Sequence, residues 1–90
     1  MSARSKQKWL TIASLKQGLR ETKMVQRDGK IHAAQLQYDE PRTYTPFLVT
    51  REVIDIDGIA GNQIELHQWW FASLDEAREH WKSQAYAVRG

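Results

Sequence analysis

The sequence predicts an α+β domain: an antiparallel sheet of four to five strands with one C-terminal helix packed on one face. Three observations carry this. The tetrapeptide "RDGK" at 27–30 sits between two runs of strand character, "ETKMVQ" and "IHAAQLQY". Asp-Gly supplies the positive φ angles of a two-residue type I′ hairpin turn. The run "FLVTREVIDI" at 47–56 is rich in β-branched residues, which suit a pleated surface. Finally, "SLDE" at 73–76 fits a capping box and opens a stretch with Leu74, Ala77, Trp81 and Ala85 at i, i+3, i+7 and i+11, one apolar helical stripe.

The elements follow in order. Residues 1–8, "MSARSKQK", read as a flexible basic tail, and 9–90 as a single domain. Residues 9–19 fit two structures: a strand over 9–13 with a turn closing at Gly18, or a short helix with Ile12, Leu15 and Leu19 on one side. The expectation preferred is the strand followed by one helical turn. Strands are expected at 20–27 and 30–38, and a two-residue turn sets Met24 opposite Ala33 and Val25 opposite His32. Pro41 and Pro46 remove backbone donors, so "DEPRTYTP" at 39–46 reads as a loop or irregular edge. Strands at 47–56 and 64–71 flank a glycine-containing hairpin loop, "DGIAGN". Asp75, Glu76 and Glu79 near the start of the last helix suit its dipole, as does Lys82 nearer the end.

The pair Trp69–Trp70 raises a question of faces, because successive strand residues point to opposite sides of a sheet. Ile64, Leu66 and Trp70 form one set, with Gln68 as its polar exception, and Leu48, Ile54 and Ile56 form the matching set on the preceding strand. This set is expected to receive the helix. Glu65, His67, Trp69 and Phe71 then fall on the open face. Trp69 there is either packed beneath the 39–47 loop or free as a contact residue.

Composition excludes several functions. The chain has 90 residues and no cysteine, so disulfides, thiolate catalysis and cysteine-ligated metals are out. No run approaches the roughly 18 apolar residues of a membrane span. The basic N-terminus has no apolar stretch behind it, as a secretory signal would. A cytoplasmic protein without membrane association is the expectation. His32, His67 and His80 share no metal-ligand spacing. "DIDGIAGNQIE" at 55–65 fits no register of a calcium loop. No nucleophile, base and orienting group fall together. A non-enzymatic protein without metal or cofactor is therefore expected.

Charge points to a partner. Net charge is +2, but residues 1–30 hold eight Lys/Arg against two acidic residues, whereas 31–90 hold five against nine. Such asymmetry suits a polyanion, or else marks a solvated basic tail and hairpin that balance an acidic back half. The candidate binding residues are Lys23, Arg27 and Lys30 around the first hairpin, Arg42 and Tyr44 in the loop, and Trp69. Cations would hold phosphates and aromatic rings would stack on bases. The expected function is a non-catalytic binding protein that engages nucleic acid or a nucleoprotein complex. The alternative is a protein–protein inhibitor or adaptor working by steric blockade.

The ending "WWFASLDEAREHW", a strand feeding a capped helix, resembles the close of the small sheet-plus-helix arm-binding domains of phage-type tyrosine integrases. In size and makeup the chain is also similar to small phage accessory proteins, anti-CRISPR inhibitors among them. Neither resemblance assigns a role to a residue. The first matches the nucleic-acid expectation and the second matches its alternative.

Overall fold

The computed structural model describes residues 9–56 and 62–89. The basic stretch 1–8 and most of the "DGIAGN" loop lie outside the described residues. The order of elements is α1 (Ile12–Lys16), β1 (Glu21–Arg27), β2 (Lys30–Tyr38), β3 (Phe47–Asp55), β4 (Asn62–Phe71) and α2 (Leu74–Arg89). The four strands form one antiparallel meander in the order β1-β2-β3-β4, and α2 packs across one face.

The first hairpin forms as its turn chemistry dictates. Asp28 and Gly29 both take positive φ, 54° and 71°, and Met24 pairs with Ala33 and Val25 with His32. The 39–46 loop is pinched at its base, where Asp39 N–H donates to the Pro46 carbonyl at 2.7 Å. Between β3 and β4 the register slips: Val53 faces Glu65 and Ile54 faces Gln63, which leaves Ile64 as a bulge.

Residues 9–13 are not a strand. The chain instead makes a five-residue helix, and both ends of α1 are capped. The Thr11 side chain accepts the Ser14 N–H at 3.1 Å. At the other end Gly18 takes φ 99°, with Gly18 N–H bonded to the Leu15 carbonyl and Leu19 N–H to that of Ser14. That is a Schellman motif, which an L side chain at position 18 would strain. Two good caps outweigh the β-branched start. Leu15 alone of this helix is buried.

The helix α2 starts where its cap predicts. Ser73 Oγ accepts the Glu76 N–H at 3.1 Å. Ser73→Ala should cost about 1 kcal/mol. Urea titration would show this as a lower midpoint with an unchanged slope, and an unmoved midpoint would remove Ser73 as the cap.

The stripe on α2 buries Ala77, Trp81 and Val88, with Leu74 and Ala85 partly buried. Beneath it lie Ala34, Leu36, Phe47 and Val49, flanked by Val25, Tyr38, Trp69 and Phe71. This is the parity opposite to the one expected. Trp69 faces the helix, and Trp70, Leu48 and Leu66 face away. The polar members of the covered set mislead a sequence reading. The helix runs diagonally, from the end of β4, where His80 lies 4.5 Å from Trp69, to the end of β1, where Arg27 reaches Val88. It leaves one corner of the covered face open. Glu65 and His67 sit in that corner, half exposed, and pair with each other at 2.9 Å. Ala34 offers no side chain above Cβ, so the Trp81 indole lies against the sheet and its Nε1–H donates to the Ala34 carbonyl at 3.1 Å.

The N-terminal segment closes over the other side of the helix. Trp9 meets Trp81 edge to face at 5.9 Å. The Leu10 backbone is held at both ends: its N–H donates to Glu21 Oε2 at 2.6 Å, and its carbonyl accepts from Arg78 Nη2.

Candidate nucleic-acid interface

The face of the sheet away from α2 is built in rows, because antiparallel partners lie side by side. One row reads Gln37, Leu48, Trp70 across β2, β3 and β4. The next reads Thr22, Gln35, Thr50, Gln68 across all four strands. The third is Met24, Ala33, Glu52, Leu66 and the fourth Gln26, Ile31, Ile54, Gln63. The second row consists wholly of hydroxyls and amides. Thr22 and Gln68 are exposed and Gln35 is half-buried, while Thr50 is buried between them. At the usual strand spacing it spans roughly 14 Å.

Two cations border these rows. The Arg42 guanidinium lies over the Trp70 ring, 4.0 Å from its centroid. A turn in which Arg42 N–H donates to the Asp39 carbonyl at 3.0 Å presents it. Arg20, just before β1, donates from Nη1 to Gln35 Oε1 at 3.1 Å. Both arginines are exposed, and Tyr44 on the same loop as Arg42 is 87% exposed.

Charge separates the two faces. The strand positions that share the helix side carry Glu21, Lys23, Arg27, Lys30, Arg51, Asp55 and Glu65. Among the described residues, the open-face strand positions carry only Glu52, which accepts from Gln63 Nε2. Acidic groups collect instead around a groove between α2 and β4, lined by Phe71, Asp75, Glu76, Glu79, His80 and Ser83. A phosphate backbone would be repelled there and tolerated on the open face.

The expected site residues are therefore divided. Arg42 stands at the open face, over Trp70, and Tyr44 is exposed on the same loop. Lys23 is exposed on the edge strand β1, and Lys30 is half-buried beside the turn. Arg27 has a structural task, since its Nη1 donates to the Val88 carbonyl at 2.8 Å and satisfies the end of α2. Reversing its charge would disturb the fold, contrary to a reading of the hairpin as a solvated face. Trp69 is not a surface contact residue. It stacks against His67 at 5.9 Å and packs on His80 beneath the helix. Trp70, expected beneath the helix, instead takes the place expected of Trp69, on the open face under the loop.

Arg20, Gln35, Gln37, Gln68 and Trp70 of the candidate face were not among the binding residues the sequence singled out. A signal existed: Gln68, treated as a polar exception in a core set, marks that set as the outward one. Gln35 and Gln37 repeat the pattern on β2.

The histidines lie elsewhere. The hydrogen bond from His67 holds the Glu65 carboxyl below its ordinary value of 4.5. Burial pushes His80 below its ordinary value of 6.5. Neutral His80 is thus favoured in the fold, so its contribution to stability is complete above pH 6.5 and is lost as pH falls below it. His80→Gln should flatten thermal stability across that acid range, and an equally steep decline in the variant would assign it to other groups. Among the described residues no group of three or more His, Asp or Glu is placed to hold a metal ion, and no helix is long and apolar enough to cross a membrane. No family model, no curated protein and no solved structure matches this chain.

Proposed function

We propose that this is a non-catalytic nucleic-acid-binding domain that docks the open face of its sheet onto a duplex. The observation that carries the reading is the uncharged hydrogen-bonding row Thr22–Gln35–Thr50–Gln68 beside the Arg42–Trp70 stack. Glutamine amides pair with the N6/N7 edge of adenine, and a major groove about 12 Å wide admits β-structure. Arg20 and Arg42 would hold phosphates at the border, and Tyr44 would add a stacking or sugar contact. The exposed Lys23 would add to the attraction from the flank. A cytoplasmic setting, where such a target is met, belongs to this reading.

The test is a titration of duplex DNA at two or more salt concentrations. The double variant Arg20→Glu/Arg42→Glu should bind at least about tenfold more weakly, or 1.4 kcal/mol, with a shallower salt dependence. Circular dichroism controls for folding. A folded double variant that binds as tightly as the wild type, with the same salt slope, would overturn the reading.

One observation favours the alternative of a protein-directed inhibitor or adaptor. Met24, Ile64 and Leu66 are 56%, 53% and 43% exposed toward the other end of the domain. An interface centred on them would be much less sensitive to salt than phosphate contacts are.

A further inference from the structure

The outer strands are protected unequally. An edge strand offers unpaired N–H and C=O groups to any second strand, and proteins blunt such edges with charged residues, above all lysine, with proline, with bulges or with cover. The strand β1 carries Lys23 and Arg27 and lies beside the end of α2. The strand β4, "NQIELHQWWF", is ten residues long, has no lysine, arginine or proline, and is blunted only by the bulge at Ile64 and the single charge of Glu65. Its residues 62–68 are all exposed, and two of them are the apolar Ile64 and Leu66.

We infer that β4 pairs antiparallel with β4 of a second copy of this chain, about a two-fold axis through Leu66. The side-chain order selects both occupant and register. With the axis at Leu66, leucine faces leucine. Glu65 of each copy then faces His67 of the other, and the bulged Ile64 lies just beyond these pairs. Carboxylate and imidazole already associate within one chain at 2.9 Å on the same side of the strand, so the two chains bring together two complementary pairs. An axis at residue 65 sets Glu65 against Glu65, and one at residue 67 sets His67 against His67. An axis at Gln68 sets Glu65 against Phe71 and uses less of the strand. Residue 66 is close to the strand midpoint, so pairing extends to both sides of the axis, with the bulge at Ile64 interrupting it once in each copy.

The two-fold axis is perpendicular to the sheet. Both helices lie on one side of an eight-stranded sheet, and both open faces join on the other. The inference rests on β4 alone and stands whether or not the open face binds nucleic acid.

The test uses the absence of cysteine from the natural chain. Opposed antiparallel residues have Cα atoms about 4.5–5.5 Å apart, within disulfide reach. Under mild oxidation, without nucleic acid, Leu66→Cys should cross-link to a covalent dimer. Gln63→Cys, whose two copies would stand roughly 20 Å apart, should not. Wild type should sediment as a dimer, and Leu66→Lys as a folded monomer with unchanged circular dichroism. Exchanging the charges in Glu65→His/His67→Glu should keep the dimer, since each cross-pair is restored, whereas Glu65→Lys alone should weaken it at least about tenfold. A wild type that sediments as a monomer at every attainable concentration overturns the inference. So does cross-linking at positions 63 and 66 at equal rates.

Discussion

Trp81→Ala should lower stability by about 3–5 kcal/mol, the range for deleting a large core aromatic. Trp81 is 7% exposed and lies at the centre of the α2 stripe. Three contacts go at once. The ring loses its bed on Ala34, the Nε1–H bond to the Ala34 carbonyl disappears, and Trp9 loses its edge-to-face partner. The last effect spreads, since Arg78 and Lys82 also lie over Trp9, at 5.2 and 5.5 Å. Guanidinium denaturation with fluorescence and circular dichroism measures the change. A loss under about 1 kcal/mol would mean that the helix does not rest on the sheet through this residue.

Trp69→Ala should cost about 3 kcal/mol and Trp70→Ala clearly less, although the two are neighbours in sequence. Trp69 belongs to the packing under α2 and touches His80 at 4.5 Å. Trp70 is half-buried on the other face, where Arg42 covers it at 4.0 Å. Its loss removes a cation–π contact and some area, and leaves the helix–sheet core untouched. The ranking is the sharp part of the prediction. Paired denaturant titrations that order the variants the other way would place the helix on the opposite face.

Much of the architecture is legible in local chemistry. Asp28 and Gly29 specify the first turn, and with it the register of β1 on β2. Ser73 and Glu76 mark the start of α2, and the spacing Leu74–Ala77–Trp81–Ala85 identifies its buried stripe. The β-branched run from residue 47 announces β3. The short helix α1 was also encoded, by Thr11 before it and Gly18 after it. Its two caps are as local as that of Ser73, but the apolar β-branched start of the segment masks them. The site was less legible. A basic, aromatic loop draws attention to Arg42 and Tyr44 in the sequence itself, whereas Arg20 and the glutamines of the candidate face emerge only once four strands are laid side by side.

Arg27 and Trp69 show why the remainder was hidden. An arginine beside a hairpin turn reads as solvated, and only the path of α2 brings the Val88 carbonyl to it. Alternation along β4 divides its side chains into two sets, and both sets contain a tryptophan. The sequence by itself determined the four strands and α2, the first hairpin register and the existence of two opposed strand sets, because caps, turn angles and the two-residue period act over a few bonds. Only the tertiary structure decided which set the helix covers. A diagonal helix shields part of a face, so it tolerates Glu65 and His67 in the corner it leaves open, and the neutral row of threonine and glutamine falls on the other side. That choice depends on the fit of Trp81 over Ala34, a contact 47 residues apart in the chain, and no local pattern reaches that far.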